Sequence, residues 1–358
     1  MGGGAGLSRP RRRRGARIAA LLTGSWRPSP PDEAVVDGLD ELVPLLHRLG
    51  AAALAWARLK ATPHSLPSGA AGLQEAYRLG VLTAALRRRQ VARVFEVFRA
   101  HGVEPILLKG WAAARLYAEE GLRPYADVDL CIPPEQAAEA RRAHGAVAEE
   151  CSIDLHLGLH HLDDRPLADV YERSEQVALE GGRVRILGAE DHLRLLALHM
   201  LGHGAWRPVW LADIAVALER RPASFDWARF EAGAPRRTEW AATALRLAHL
   251  LLGADVDGVP ASLVHRPTPG WAMGAILDAW GFDGRRVPQG ARLPMGQVRG
   301  IASLVTGLWE RWPDPLEATV GVGAPINDFP RWPVQLAECV ARVTRFLRAP
   351  APGRAAAR

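Results

Sequence analysis

The sequence has few cysteines and no long apolar run, and both shortages limit what the protein can be. The three cysteines, Cys131, Cys151 and Cys339, are widely spaced and odd in number, and no CxxC pair occurs. With no secretory signal evident at the start, we expect reduced thiols in a cytoplasmic protein. No stretch reaches the roughly 18 apolar residues that a spanning helix needs, so we expect no membrane partner.

Lysine is also scarce, and the positive charge comes almost entirely from arginine. Lysine occurs only at Lys60 and Lys109, and the formal net charge is +6. Arginines 11–14 follow a glycine-rich start, a composition that buries little apolar surface. We therefore predict disordered tails over residues 1–30 and 350–358. The first tail could contact RNA or another anionic surface or could simply be solvated, and we expect no nucleic-acid partner.

Two common nucleotide-binding signatures are absent from the chain. Neither GxxxxGK[ST] nor a strand-linked GxGxxG occurs. Because each signature cradles phosphate in a glycine-rich loop before a helix, their absence argues against the P-loop and dinucleotide-binding folds.

Apolar periodicity divides the chain into helical ends and a mixed centre. Spacings of three and four residues from Asp32 to Leu59 and from Gly72 to Ala100 predict an N-terminal helical lobe over residues 31–101. Helical periodicity returns from Ala189 onward, and a C-terminal helical region is expected over residues 221–349. Between them, four short runs of strand length predict a sheet-containing core over residues 102–220: 106–108, 126–132, 152–157 and 183–187. The expected class is α+β, a mixed α/β core between helical regions.

The central segment carries three aspartates in a pattern that suits metal binding. Asp127 and Asp129 lie two residues apart on a predicted strand, so both carboxylates leave the same face. Asp154 lies on the next predicted strand and could stand beside them. Three carboxylates suit a pair of Mg²⁺ ions that share substrate phosphates. Paired acids also occur by chance on solvated strand faces, and that alternative stays open for the pair alone.

A glycine turn lies upstream of these aspartates. Lys109 and Gly110 end one predicted strand and open a helix, a place where backbone N–H groups can meet phosphate. With the strands that follow, this order resembles the bacterial nucleotidyltransferase-like family, an uncharacterised family of the polymerase-β-type superfamily. The resemblance lies in four segments: LLKGWAAARLYAEEGLRPYADVDLCIPPEQ, IDLHLGL, EDHLRLLALHMLGHG and WLADIAVAL.

The resemblance implies a fold, a reaction and a set of ligands. The fold would be a small polymerase-β-type sheet with flanking helices. The reaction would move a nucleoside monophosphate from a nucleoside triphosphate to the hydroxyl of an unidentified acceptor, a small molecule or a protein. Asp127, Asp129 and Asp154 would hold Mg²⁺ or Mn²⁺ and act in catalysis, and Gly110 would contact phosphate.

The chain departs from the superfamily pattern at this turn. Trp111 follows Gly110, where a serine or a second glycine is usual. A catalytically inactive nucleotide-binding or interaction module with the same fold is therefore the alternative function.

Other polar residues are candidates for contacts around the nucleotide. Lys109 and Arg123 could bind phosphate, and a solvated lysine and a loop salt bridge are the alternatives. His156 shares the strand face of Asp154 and could support the ligands or contact the acceptor. Another reading makes it part of a zinc site with nearby residues: His160, His161, Asp163 and Asp164. The resemblance also includes three residues further on that could support the site or serve as ordinary core residues: His199, His203 and Asp213.

Overall fold

Helices surround a single mixed sheet in the computed structural model, which describes residues 4–28, 38–60, 69–159, 162, 164–284 and 311–348. The fold is α+β, as predicted. The strands are β1 (Ile106–Leu107), β2 (Val128–Ile132), β3 (Ile153–Leu157), β4 (Glu175–Leu179) and β5 (Gly182–Ile186).

The sheet has the strand order β3-β2-β1-β5-β4. β2 runs antiparallel to β1 and parallel to β3, while β5 runs parallel to β1 and antiparallel to β4. The predicted strands correspond to β1, β2, β3 and β5. β4 was not predicted, because it is an edge strand on which only Leu179 is fully buried.

The helices precede, interrupt and follow the sheet. Before it lie α1 (Gly4–Leu22), α2 (Leu39–Arg48), α3 (Ala52–Lys60) and α4 (Ala70–Ala100). Between strands lie α5 (Trp111–Ala114), α6 (Ala137–Val147) and α7 (Leu167–Arg173), with 3-10 turns at Glu120–Leu122 and Pro134–Gln136. After the sheet come α8 (Ala189–Gly202), α9 (Pro208–Glu219), α10 (Trp227–Glu231), α11 (Pro235–Leu252), α12 (Ala261–Val264), α13 (Gly270–Trp280), α14 (Pro315–Gly321) and α15 (Trp332–Arg348).

The two faces of β2 enter different environments because side chains alternate along a strand. Val128, Leu130 and Ile132 join a hydrophobic cluster with side chains of α4 and α6. Cys131 faces the opposite way, into a cluster with Val170 of α7 and Leu195 of α8. Asp129 shares the face of Cys131 and is itself buried.

A separate hydrophobic cluster joins the helices before the sheet to those after it. It includes Ile18 of α1, Leu46 of α2, Leu54 of α3, Leu198 of α8 and Leu245 of α11. The predicted domain boundaries stay predictions, but the two predicted helical regions share this core.

The prediction of a disordered tail over residues 1–30 was wrong for α1. Ile18, Leu21 and Leu22 are almost fully buried, so the end of this helix belongs to the core. Gly15 packs so tightly against the backbone of α13 that a Cβ there would overlap the carbonyl oxygen of Leu277. The middle of the helix is therefore held by close packing against α13.

Arginines of α1 form ion pairs within the protein. Arg12 Nη2 lies 2.6 Å from Asp278 Oδ2. Arg17 Nη1 lies 2.7 Å from Glu41 Oε2. These two carboxylates neutralise part of the positive charge of the N-terminal segment, which the sequence analysis considered as a possible contact for RNA. Residues 1–3 and 29–30 of the first predicted tail, and the tail predicted at 350–358, lie outside the described residues.

The cysteines are free thiols, and two of them are buried. Burial raises the pKa of the Cys131 thiol to about 12. Over the described ranges, no helix is both long enough and apolar enough to cross a membrane.

Candidate functional site

The candidate site forms where β2 and β3 run side by side. In their parallel register Asp129 pairs with Asp154, and Cys131 pairs with His156. Because residues two apart on a strand share a face, Asp129, Asp154 and His156 project to the same side of the sheet. The prediction that Asp129 and Asp154 lie on neighbouring strands is confirmed.

These three side chains converge at ligand distances. His156 Nε2 lies 3.1 Å from Asp154 Oδ2 and 3.6 Å from Asp129 Oδ1. One ligand atom from each residue falls within 4.8 Å of the others. Two carboxylates and an imidazole are a donor set that fits a divalent cation. His156, which we predicted to support the ligands, thus stands among the candidate ligands themselves.

The two aspartates of the cluster differ in exposure, and neighbouring charges influence the protonation of Asp129 and His156. The Asp129 side chain is 6% exposed and the Asp154 side chain 55%. Burial opposes ionisation of Asp129, but His156 and Lys109 together hold its pKa below the usual value. The neighbouring Asp129 and then Asp154 raise the pKa of His156. The site therefore keeps Asp129 ionised and favours a protonated imidazole while no cation is bound.

Asp127 lies immediately before β2 and is half-buried. Burial raises its pKa, and the negative charges of Asp129 and Asp154 add to the effect, while Lys109 opposes it. Asp127 is thus in electrostatic contact with the cluster but is not one of the three residues whose ligand atoms converge. Its binding to a metal stays a prediction.

Lys109 is part of the site. Its Nζ lies 2.7 Å from Asp129 Oδ1, and its side chain is 15% exposed. The alternative of a solvated lysine is therefore wrong. The ammonium group stands beside the carboxylates, where it could also meet an anionic substrate.

Gly110 has a backbone conformation that suits glycine, with φ 60°. A Cβ at this position would lie 3.2 Å from the ring of Tyr125 and 3.3 Å from the carbonyl oxygen of Asp127. The turn thus allows the chain before β2 to pass close by. The contact of Gly110 with phosphate stays a prediction.

Trp111 occupies the position after the glycine turn where the superfamily usually has a serine or a second glycine. Its side chain is buried in the cluster between the sheet and α4. Its indole Nε1 donates a hydrogen bond of 3.2 Å to Glu120 Oε1. Trp111 therefore has a packing role, and the following helix α5 has only four residues.

Arg123 forms a buried ion pair with Asp213. Its Nη2 lies 2.7 Å from Asp213 Oδ2, with side-chain exposures of 7% and 0%. Tyr117 Oη donates a 2.8 Å hydrogen bond to the same carboxylate. The pair ties the segment before β2 to α9. A salt bridge, the alternative for Arg123, is thus present, and contacts of either residue with nucleotide stay predictions.

Two of the predicted histidines form an aromatic cluster with a tryptophan at the start of α9. The rings of His199 and His203 are 4.5 Å apart, and both contact the ring of Trp210. Burial lowers the pKa of His203, Lys109 lowers it further, and Asp129 opposes them. His203 therefore lies within electrostatic range of the carboxylates, and its predicted role near the nucleotide stays a prediction.

Arg207 is a candidate that the sequence analysis missed. Its guanidinium carbon lies 5.6 Å from the ring of Trp206 and 5.7 Å from that of Trp210. Burial and then Arg123 lower its pKa, and Asp127 is among the groups that oppose them. The signal in the sequence was an arginine in the segment WRPVW, soon after the histidines.

Asp164, one of the candidate ligands in the zinc-site hypothesis, has another partner in the structure. Asp164 accepts a 2.8 Å hydrogen bond from Arg194 Nη2, an ion pair with the interior of α8. His160, His161 and Asp163 lie outside the described residues.

A protein-family model matches more than half of the chain. No curated protein and no solved structure matches the chain at a significant level. The model of a family described as uncharacterised nucleotidyltransferases matches residues 37–253, a range that contains every strand among the described residues and every candidate site residue. The chain belongs to this uncharacterised nucleotidyltransferase family.

Proposed function

We propose that the protein is a metal-dependent nucleotidyltransferase that moves a nucleoside monophosphate from a nucleoside triphosphate to an acceptor hydroxyl. The observation that carries the proposal is the convergence of Asp129, Asp154 and His156 beside the ammonium group of Lys109. Family membership supports nucleotidyl transfer in general. The metal dependence, the nucleoside triphosphate donor and the acceptor hydroxyl are what we propose beyond family membership.

A bound divalent cation would supply charge neutralisation at the transferring phosphoryl group. Carboxylate oxygens suit both Mg²⁺ and Mn²⁺, while an imidazole nitrogen is a softer ligand than Mg²⁺ usually takes. We therefore expect Mn²⁺ to support the reaction at least as well as Mg²⁺.

Three residues of the protein have separate roles in the proposed reaction. Asp129, buried and held ionised, anchors the donor set. Lys109 attracts the phosphates. Asp154, with its side chain half-exposed, accepts the proton of the acceptor hydroxyl. As the acceptor oxygen bonds to the α-phosphorus, the bond from that phosphorus to the β-phosphate oxygen breaks, and pyrophosphate leaves.

The alternative is an inactive nucleotide-binding or interaction module. Trp111 favours it, because a buried indole follows the turn where a hydroxyl would otherwise meet phosphate. The two functions differ in whether pyrophosphate is released.

Pyrophosphate release from each common ribonucleoside triphosphate, with Mg²⁺ or Mn²⁺, tests the proposal. We expect metal-dependent release by the wild type and none by the Asp127→Ala/Asp129→Ala variant. The matched control is Asp169→Ala/Glu172→Ala, which removes two exposed carboxylates of α7 and should keep the activity. Triphosphate binding without release would favour the inactive module.

A further inference from the structure

Arg207 lies between α8 and α9 and is held from three sides. Its guanidinium carbon is 5.6 Å from the ring of Trp206 and 5.7 Å from that of Trp210. A Cβ at Gly50 would overlap its Nη2, so the guanidinium also packs against the backbone between α2 and α3. The side chain is half-buried and occupies a defined position.

The guanidinium of Arg207 has no anionic partner within the described part of the chain. No carboxylate there forms an ion pair with it, and its buried Nε has no hydrogen-bond partner. Asp213 is near enough to influence its pKa, but both oxygens of that carboxylate already accept hydrogen bonds from Arg123. Arginine stays charged at any ordinary pH, and its N–H groups require acceptors when they are removed from water. Arg207 is therefore suited to an anion that the described protein does not supply.

α8 lies over the sheet face that carries the carboxylates. Leu195 of this helix joins Cys131 in one hydrophobic cluster, and Cys131 shares the face of Asp129. His203 directly follows α8, and both Lys109 and Asp129 influence its pKa. The end of α8 therefore lies near the carboxylates, on their side of the sheet.

Arg207 is close to this end of α8. The ring of Trp210 lies 5.4 Å from the ring of His203 and 5.7 Å from the guanidinium carbon of Arg207. Asp127 is also among the charges that influence the pKa of Arg207. Arg207 thus borders the candidate site on the side of Asp129, without an ion pair to its carboxylates.

An extended anion could reach both Arg207 and the proposed reaction centre. In the proposed reaction the reacting phosphorus lies beside Asp154, which accepts the hydroxyl proton. Lys109 contacts Asp129 at 2.7 Å, whereas Arg207 pairs with neither aspartate and stands farther off. A chain of phosphates that begins at the aspartates would therefore meet Arg207 beyond the reacting phosphate.

We propose that Arg207 binds the terminal phosphates of the nucleoside triphosphate and makes the site select triphosphates over monophosphates. The proposal rests on the transferase function proposed above. Arg207 would supply a phosphate contact that a hydroxyl after the glycine turn cannot make here, because the buried Trp111 takes that position. A guanidinium suits this role because it can donate two parallel hydrogen bonds to phosphate oxygens.

During the proposed reaction, Arg207 would also stabilise the leaving group. The acceptor oxygen bonds to the α-phosphorus, and its proton passes to Asp154. The bond from the α-phosphorus to the bridging oxygen breaks, and pyrophosphate takes the bonding electrons. Because the added negative charge falls on the group that Arg207 holds, its attraction strengthens as the bond breaks.

Binding of inorganic tripolyphosphate tests the role of Arg207 without a choice of base. Calorimetry would titrate this probe, in the presence of Mn²⁺, into the full chain as wild type and as Arg207→Gln. We expect the variant to bind tripolyphosphate at least tenfold more weakly. Equal affinity of the two proteins, or no binding by the wild type, would overturn the proposal.

Arg221→Gln is the matched control for this titration. Arg221 lies just beyond the other end of α9, where its guanidinium carbon is 5.6 Å from the ring of Trp227. Its substitution thus removes an arginine that also lies over an aromatic ring, but away from the carboxylates. Arg221→Gln should bind tripolyphosphate as the wild type does.

Two further measurements on Arg207→Gln separate phosphate binding from packing. Mn²⁺ affinity without tripolyphosphate should be no lower than in the wild type, because Arg207 pairs with none of the candidate metal ligands. The melting temperature should be unchanged or higher, since the variant loses a half-buried cation without an anionic partner in the described chain. Weaker Mn²⁺ binding or a lower melting temperature would show that Arg207 holds the site by packing and would overturn the proposal.

Pyrophosphate release separates failure of this proposal from failure of the transferase function. Release by the wild type, with tripolyphosphate affinity unchanged in Arg207→Gln, overturns the role of Arg207 alone. Tripolyphosphate binding that depends on Arg207, without release from any triphosphate, overturns the transferase function and keeps the phosphate site. Support for both requires release together with weaker tripolyphosphate binding by Arg207→Gln.

Discussion

Asp129 on β2 and Asp154 on β3 are direct register partners, yet one carboxylate is buried beside a lysine and the other is half-exposed. The asymmetry follows from position, because β3 is the outer strand of the sheet and β2 lies between two strands. A buried carboxylate with a fixed partner suits an anchoring ligand, while an exposed one can meet a substrate proton. The proposed division of roles between the two aspartates rests on this difference.

Lys109→Gln should change metal and nucleotide binding in opposite directions. Without its ammonium group, Asp129 no longer has a cation within 2.7 Å competing for its oxygen, so Mn²⁺ binding without nucleotide should tighten. Triphosphate affinity should fall, because a phosphate-binding charge is lost. Lys60→Gln, which removes the other lysine of the chain, is the control and should change neither. Calorimetric titration measures both, and tighter or unchanged triphosphate binding by Lys109→Gln would contradict the assignment.

His156 should make both stability and metal binding depend on pH above 6.5, its ordinary pKa. Since Asp129 and Asp154 raise the pKa of His156, its protonated form stabilises the metal-free protein below pH 6.5, and that contribution is lost as pH rises through the raised value. Metal affinity should rise over the same range, because the metal needs the neutral imidazole. Denaturation and metal titration at several pH values should lose both trends in His156→Gln but retain them in His144→Gln.

Breaking the buried pair between Arg123 and Asp213 should be costly. Arg123→Met leaves a carboxylate that is 0% exposed without its cation, and such losses cost about 3–5 kcal/mol. The exposed pair of Arg93 and Glu96 provides the control, because Arg93→Met should leave the stability of the protein nearly unchanged. Urea denaturation measures both. A loss below about 1 kcal/mol for Arg123→Met would show that the pair is not needed for folding.

Gly15→Ala should destabilise the protein, although alanine is the better helix former. The added Cβ would overlap the backbone of α13, and overpacking typically costs about 1–3 kcal/mol. Gly145→Ala in α6 is the matched control, because nothing lies within 4 Å of its Cβ position and the same change should stabilise by about 0.5–1 kcal/mol. Thermal denaturation should move the two variants in opposite directions, and a stabilised Gly15→Ala would mean that α1 does not pack there.

The elements around the site were predictable because their signals are local. A short apolar run, a glycine turn and the alternation of Asp127 to Ile132 predict a strand, a turn and a second strand. The buried end of α1 was hidden, since Ile18, Leu21 and Leu22 follow an arginine run that dominates the composition. The spacing of these three apolar residues is a weaker signal for a buried helix than the preceding arginine run is for a solvated tail.

The sequence alone could not predict contacts between residues that lie far apart along the chain. The partner of Arg123 lies 90 residues away, and nothing in either segment indicates the other. His156 could be placed on the face of Asp154, but its nearness to Asp129 depends on the parallel register of β2 and β3.

Binding of Mn²⁺ to the protein without nucleotide tests the central claim most directly. Calorimetry would compare the wild type with Asp129→Asn, Asp154→Asn and the control Asp169→Asn, each at a pH above the raised pKa of His156, where the imidazole is neutral. We predict one or more Mn²⁺ ions bound by the wild type and the control, with affinity reduced at least tenfold by Asp129→Asn and Asp154→Asn. Equal binding by all four proteins, or by none, would contradict a metal site at Asp129, Asp154 and His156.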